Sequence, residues 1–403
     1  MNDIIIMQPF NQLFLNQFVL AESLLPFTNE ELRKLDTALN KYEILFLNPD
    51  IEKNLISKNE LLASFAISKA ENSKLTLQEA QDVYSFIVNN EDYTFISEKL
   101  TKVGKLTNKD YDKLEFFNIA KVFRNINQNP IHIQDVTPEY ILELHKQLTQ
   151  GLDIFKDYLL DFDVYKSGQW RDNDDIRVNT YKPAPYSEIE KGVEELLKWV
   201  KDNINITSVG IFHTALYALH PFCNGNKRVS RILEHIFLRS LGINNKNLYS
   251  TSYYYHKEKG RYIKYLLYSL EKRNLNHFVG FFQEALVLSI IGVIKTSLEV
   301  KRYEFINNKD LDENTRIILK PLIKRHEIQF NKLYKEVDRK MARQTFTNYL
   351  EKATTEKIVT RRNEGRNVYY SLNTSFQEEK EIHTLLEFIK QKLSFIPDEM
   401  KLV

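Results

Sequence analysis

Two apolar runs, IFHTALYAL and ILEHIFLRSL, bracket the stretch HPFCNGNKRVSR, His220 to Arg231. The periodicity predicts two helices joined by a short loop, with the second helix starting near Asn226. A helix start carries unpaired backbone N–H groups and the positive end of the dipole, which suits an anion. Gly225 can take a positive φ and let a phosphate approach the backbone. Lys227, Arg228 and Arg231 add positive charge, and Arg228 and Arg231, three apart, share one helix face. On residue type alone two readings stand. One is a nucleotide or phosphate site beside His220; the other is a capping histidine followed by an ordinary turn.

Composition narrows the fold class. Only 11 Gly and 10 Pro occur in 403 residues, which favours long helices over a strand-and-turn protein. That length suffices for two or three domains. The formal net charge of +2 creates no global field that argues for nucleic acid or membrane. A single cysteine, Cys223, excludes an intrachain disulfide framework and fits a reducing compartment. No stretch of eighteen uninterrupted apolar residues appears, so no membrane span is expected. The first residues, MNDIIIMQPF, lack the basic start and cleavage region of a secretory signal. A mainly α, cytoplasmic protein is the expectation.

Three regions follow along the chain. Residues 1–106 read as an N-terminal helical region, with capping boxes at Thr28/Glu31 and Thr76/Glu79. Residues 107–290 read as a helical core. In it Thr137-Pro138 starts one helix and Ser187/Glu190 is a capping-box signature for another. IRVNTYKPAP has β-branched character and predicts a small hairpin. HFVGFFQEALVLSIIGVIKTSLEV reads as a long buried helix leading out of the core. Residues 291–403 change character. Thr315 to Arg325, FNKLYKEVDRK and ARQTFTNYLEKATTEK read as helices, and KIVTRRNEGRNVYYSL as strand, turn, strand with the turn at Asn363 to Gly365. The last helix, EKEIHTLLEFIKQKL, leaves two readings open, packing back or forming a homodimer.

The loop resembles the Fic family motif H-P-F-x-[D/E]-G-N-[G/K]-R-x-x-R. It agrees at His220, Pro221, Phe222, Gly225, Asn226, Lys227, Arg228 and Arg231, and departs at Asn224, where the family normally has a carboxylate. KSGQWRDNDDIRV, Lys166 to Val178, looks like the family's segment carrying the target-docking flap. The stretch from Leu248, LYSTSYYYHKEKGRYIKYL, resembles the one that often helps hold adenine. ELHKQLTQG, Glu143 to Gly151, fits an early core helix. Upstream, Glu71-Asn72 matches the end of the family's inhibitory-helix pattern [S/T]-x-x-x-E-[G/N], although Ile67 stands where Ser or Thr is usual. Separately, the three C-terminal helices and hairpin resemble a winged helix-turn-helix. Arg343 and Gln344 would start its recognition helix, and Arg361, Arg362 and Arg366 would lie on its wing, an arrangement that can meet DNA.

The resemblance implies a Fic-fold helical bundle with a small β-hairpin flap, an N-terminal inhibitory region and an autoinhibited protein adenylyltransferase. AMP would pass from ATP to a Ser, Thr or Tyr hydroxyl of a target protein or of the chain itself. It implies His220 as general base, since imidazole titrates near neutrality. It implies N–H groups around Gly225 and Asn226 for the α-phosphate, with Lys227, Arg228 and Arg231 completing the ATP site. Asn224 falls at the Mg2+ position, where its amide oxygen brings no charge. Glu71 would pair with Arg231 and occupy the cation needed by the γ-phosphate. Ile176, Arg177 and Val178 are the flap candidates for β-addition of a target strand. Two rivals differ in class: a Doc-like kinase, and a DNA-binding regulator with a degenerate nucleotide-binding core.

Overall fold

A computed structural model describes residues 5–12, 14–43, 49–70, 72–89, 91, 93–160, 162, 166–337 and 341–397. In chain order the helices are α1 (Asn29–Glu43), α2 (Pro49–Ala70), α3 (Leu77–Val88), α4 (Phe95–Val103), α5 (Asn108–Gln128) and α6 (Pro138–Leu148). Next come α7 (Ile189–Asp202), α8 (Ile206–Leu219), α9 (Asn226–Ser240), α10 (Thr251–Lys257), α11 (Lys259–Lys272) and α12 (Asn276–Asn307). The rest comprises α13 (Glu313–Leu319), β1 (Ile328–Gln329), α14 (Phe330–Glu336), α15 (Arg343–Thr355), β2 (Val359–Glu364), β3 (Asn367–Leu372) and α16 (Gln377–Lys390). The protein is mainly helical, as its Gly and Pro scarcity predicts. Two compact units form: Met1–Ala38 with Phe46–Ser289, and Leu39–Leu45 with Ile290–Val403.

Local signals set most helix starts in the first unit. Thr28 and Glu31 exchange backbone and side-chain hydrogen bonds at 2.9 and 3.2 Å. Thr76 and Glu79 form the second capping box, and Thr137 caps α6 with Pro138 at its first position. The Ser187/Glu190 box does not form. Residues Tyr186–Glu188 already wind as a 3-10 turn, so Glu188 precedes α7 in helical backbone. Asp174 secures this entry instead, accepting the Tyr186 N–H at 2.7 Å.

All fourteen residues of α8 are buried, because the helix packs against α7, α9 and α11. Gly210 allows a further close approach: a Cβ there would stand 2.6 Å from the Phe282 ring. Helix α9 is surrounded by α2, α5, α6 and α8. Beside it, α2, α3 and α5 share a core of Leu61, Val83, Tyr84, Ile87 and Phe116. Helix α12 is long and apolar enough to cross a membrane by length and composition, but 78% of its most apolar eighteen-residue window is buried. That is the burial of a core helix.

The second unit orders its elements α13, β1, α14, α15, β2, β3, with an antiparallel sheet of order β1-β3-β2. The hairpin register pairs Val359 with Leu372 and Glu364 with Asn367, so Gly365 and Arg366 make the turn, shifted from the predicted Asn363 to Gly365. Strand β1, two residues long, was not predicted. Ile318, Leu322, Leu333, Phe346, Leu350 and Tyr370 build the core. The predicted helix from Thr315 to Arg325 is α13 followed by a 3-10 turn, Lys320–Ile323. Helix α16 packs back: Ile382, Leu386 and Ile389 are buried, and Arg302 of α12 donates to Glu379 at 2.8 and 3.1 Å.

Candidate functional site

Helix α8 ends on His220 itself. The His220 N–H closes the last turn on Leu216 O at 3.1 Å, and its backbone is left-handed, φ 51° and ψ 62°. A side chain with a Cβ adopts that conformation at a cost of roughly 1–2 kcal/mol, so other contacts must hold it. Arg171, buried in the flap segment, supplies them. Its Nε donates to His220 O at 2.8 Å and its Nη2 to Leu219 O at 3.4 Å. Its N–H donates to Pro221 O at 2.9 Å. The same guanidinium bonds Ala184 O, Asn173 O and Asp174. Leu219 O and His220 O are carbonyls that the end of α8 leaves unsatisfied, and a cation suits the negative dipole end. The His220 ring is 8% exposed and stands edge-on to Tyr217 at 5.2 Å.

The loop is then pinned from within. Asn226 Oδ1 accepts the Phe222 N–H at 3.0 Å, and its Nδ2 donates to Phe222 O at 2.8 Å. Its side chain therefore closes the loop and sets the first turn of α9, where the backbone N–H groups of the helix start lie. Phe222, fully buried, stacks on His145 at 3.8 Å and lies 5.1 Å from Trp170. His145 Nδ1 accepts the Gly168 N–H at 3.0 Å, so Nε2 carries the proton toward Asn224 O at 3.1 Å. This pattern requires a neutral ring. Burial first, and the Arg228 charge second, push its pKa down to about 3.

Gly225 has φ 84°, and a Cβ there would lie 3.3 Å from both Arg228 and the His145 ring. Glycine is demanded by conformation and by space together. Asn224 Oδ1 accepts the Gly225 N–H at 2.7 Å. The donor read as an α-phosphate contact thus serves the Asn224 side chain. Among the described residues, no group of three or more His, Cys, Asp or Glu could hold a metal. A hard divalent cation favours several oxygens, carboxylates above all. One neutral amide oxygen turned onto a backbone N–H does not fit Mg2+.

The cations lie where the motif predicts, along the first two turns of α9. Arg228 is fully buried, with Nη1 3.1 Å from Glu115 of α5. Arg231 donates to Ala66 O at 3.2 Å, and Lys227 to Ala70 O at 3.4 Å. Lys259 donates to Lys69 O at 3.2 Å and Asn72 Oδ1 at 2.8 Å. Three positive side chains from α9 and α11 thereby gather on the last turn of α2. Glu71 lies outside the described residues.

The flap is a single bridge, Val178 to Tyr181, with both hydrogen bonds at 3.0 Å. Ile176 and Val178 are half-buried and Arg177 is exposed. Tyr181 donates to Ala218 O of α8 at 3.1 Å. The flap and His220 therefore hang from the same helix end. Sequence reading missed Arg171, His145 and Lys259. The QWR triplet held a signal for Arg171, a lone cation entering a polar loop, but its partners come from distant chain.

Comparison with known proteins gives one family: residues 135–238 match the model described as Fic/DOC family. Similar solved structures include a Fic family protein from Desulfovibrio desulfuricans G20, with TM-score 0.49 and 18% identity, covering 88% of this chain and 99% of that one. Fic-1 from C. elegans gives 0.47 and 17%, covering 66% and 73%. A Fic domain containing signaling protein from Bacteroides thetaiotaomicron VPI-5482 gives 0.46 and 18%, covering 67% and 98%.

Proposed function

Residues 135–238 form a Fic/DOC family domain, and from that premise we propose an autoinhibited protein adenylyltransferase. Members of the family commonly transfer AMP or other nucleotide groups to proteins. The observation that carries the reading is the convergence, on one loop, of an imidazole at a strained helix end and a helix start lined by Lys227, Arg228 and Arg231. His220 would take the proton of the target hydroxyl as its oxygen attacks the α-phosphorus of ATP. Arg228 and Arg231 would meet the leaving phosphates, where fixed charge acts without reorganisation. Family enzymes use ATP with a divalent metal. The Asn224 donor set does not suit such an ion, so no step here runs through it. The flap residues Ile176, Arg177 and Val178 would align a target strand beside His220.

Restraint of this activity is supported by the end of α2. Lys227 and Arg231 donate to Ala70 and Ala66 carbonyls, so the cations that would receive phosphate are engaged by a helix end. Glu71 follows immediately and would add a carboxylate. Parallel incubations with α-labelled and γ-labelled ATP test the reading, using wild type, His220→Ala and Glu71→Gly, with and without lysate. Label from the α position only, lost in His220→Ala and raised in Glu71→Gly, is the expected result; label without lysate is self-modification. Transfer from the γ position identifies the Doc-like kinase instead.

A second reading concerns residues 311–372, which hold fourteen Lys or Arg against eight Asp or Glu, net +6. The element order and the β1-β3-β2 sheet support a winged-helix reading. Arg343, Gln344 and Asn348 are exposed along α15, and Arg361 and Arg366 are exposed on the hairpin. This surface has the charge and donor chemistry for duplex DNA. Fluorescence anisotropy with a labelled duplex should show binding that weakens steeply from low to moderate salt; no binding at low salt removes this reading.

A further inference from the structure

The stretch from Leu248 uses two of its tyrosines for something other than a base. Tyr255 and Tyr262 are fully buried, and both rings face Arg231. The Arg231 guanidinium carbon lies 4.4 Å from the Tyr262 ring centroid and 5.3 Å from that of Tyr255. One turn further along α9, fully buried Glu234 gathers donors. His213 Nδ1 stands 2.6 Å from its Oε2, and the Thr251 hydroxyl donates to Oε1 at 2.5 Å. The Tyr255 hydroxyl reaches both oxygens, at 3.0 and 3.1 Å. On the other side of the ring, His213 Nε2 stands 3.3 Å from the Tyr262 hydroxyl. Burial raises both phenols above their ordinary pKa, so they stay neutral donors.

The arrangement links four helices in one chain of contacts. Glu234 holds His213, His213 holds the Tyr262 hydroxyl, and the Tyr262 ring supports Arg231. A buried carboxylate with this many donors is expensive to desolvate and earns no stability for its own sake. A ring face, by contrast, steadies a guanidinium without consuming its N–H groups. Here the Tyr262 hydroxyl also accepts a hydrogen bond from Arg231, and Ala66 O accepts another, so ring and hydroxyl together fix the guanidinium plane.

We propose that Tyr262, fixed from behind by His213 and Glu234, is a positioning residue that sets the plane of Arg231 for the terminal phosphate of a nucleoside triphosphate. This rests on the reading of Arg231 given above. The test is equilibrium binding of ATP and of AMP to the full chain, which needs no turnover, for Glu71→Gly, which serves as the wild-type reference with the restraint removed, and for Arg231→Ala, Tyr262→Leu and Tyr262→Phe each added to it. The readout is the preference for ATP over AMP. Arg231→Ala should lower it about tenfold, with AMP affinity unchanged. Tyr262→Leu should reproduce most of that loss. Tyr262→Phe, which keeps the ring but not its anchor, should lose about threefold. A folded Tyr262→Leu protein with the wild-type preference overturns the proposal. If the leucine variant does not fold, an unchanged preference in Tyr262→Phe does so. An unchanged preference in Arg231→Ala sinks the nucleotide-site reading itself, a separable outcome.

Discussion

Arg228 in the first unit and Arg362 in the second have the same side chain and similar partners, in opposite surroundings. Arg228 and Glu115 are 0% and 1% exposed; Arg362 and Glu327 are 50% and 23% exposed. A pair taken out of water gains strength and loses tolerance, because removing one partner strands the other. A solvated pair is screened and contributes little. The buried loop is thus a place where every cation has an assigned neighbour, and changing function means changing partners. The exposed surface also pairs its charges, Arg362 with Glu327 and Glu364, but water screens them and the surface acts through its summed charge.

The sharpest way to test this contrast is catalytic. His220→Ala should lower transfer by at least about 100-fold, as loss of a general base does, without weakening ATP binding. Labelling by α-labelled ATP reads the first and calorimetry the second. Next in size, Glu115→Ala should destabilise the first unit by about 3–5 kcal/mol, seen as a large fall in melting temperature. A fall no greater than that of Glu327→Ala would falsify the contrast.

Acid should act on the buried region through histidines. His145 and His235 are held neutral, their pKa values pushed down to about 3, mainly by burial. In the unfolded chain they take up protons near 6.5. Below that pH the unfolded state binds more protons, so stability is complete above pH 6.5 and falls as pH drops toward 3. Each ring contributes a loss of about 1.4 kcal/mol per pH unit inside that window. Melting curves at pH 7.5 and 5.0 check this, and His235→Gln should narrow the gap between them. The smallest effect belongs to the surface: Arg362→Ala should leave the melting temperature nearly unchanged, and any DNA affinity it lowers should be restored by reducing salt. Between these in kind, Asn224→Asp should create a Mg2+ response; titrating Mg2+ against labelling in both proteins shows whether the loop's missing charge is what excludes the ion.

Much of this was legible in sequence because it is local. Thr28, Thr76 and Thr137 cap helices through residues three positions away, and the loop from His220 to Arg231 holds its own turn, helix start and cations. Ser187 failed as a cap because a tight turn formed ahead of it, held by Asp174 from the flap. Strand β1 is too short to have a period. Arg171 was invisible because its partners, Leu219, His220 and Ala184, come from a helix end and a loop that only the fold unites. The stretch from Leu248 was legible as aromatic, but that Tyr255 and Tyr262 face Arg231 was not, since aromatic residues announce contact without saying with what.

The left-handed turn at His220 has one more consequence. Glycine would sit there without penalty, so the backbone would be more comfortable with no imidazole at all. A His220→Gly protein should therefore relax its backbone there, but it would give up the ring's packing on Tyr217 and be inert, so the strain at this position is one that an imidazole alone makes worth keeping.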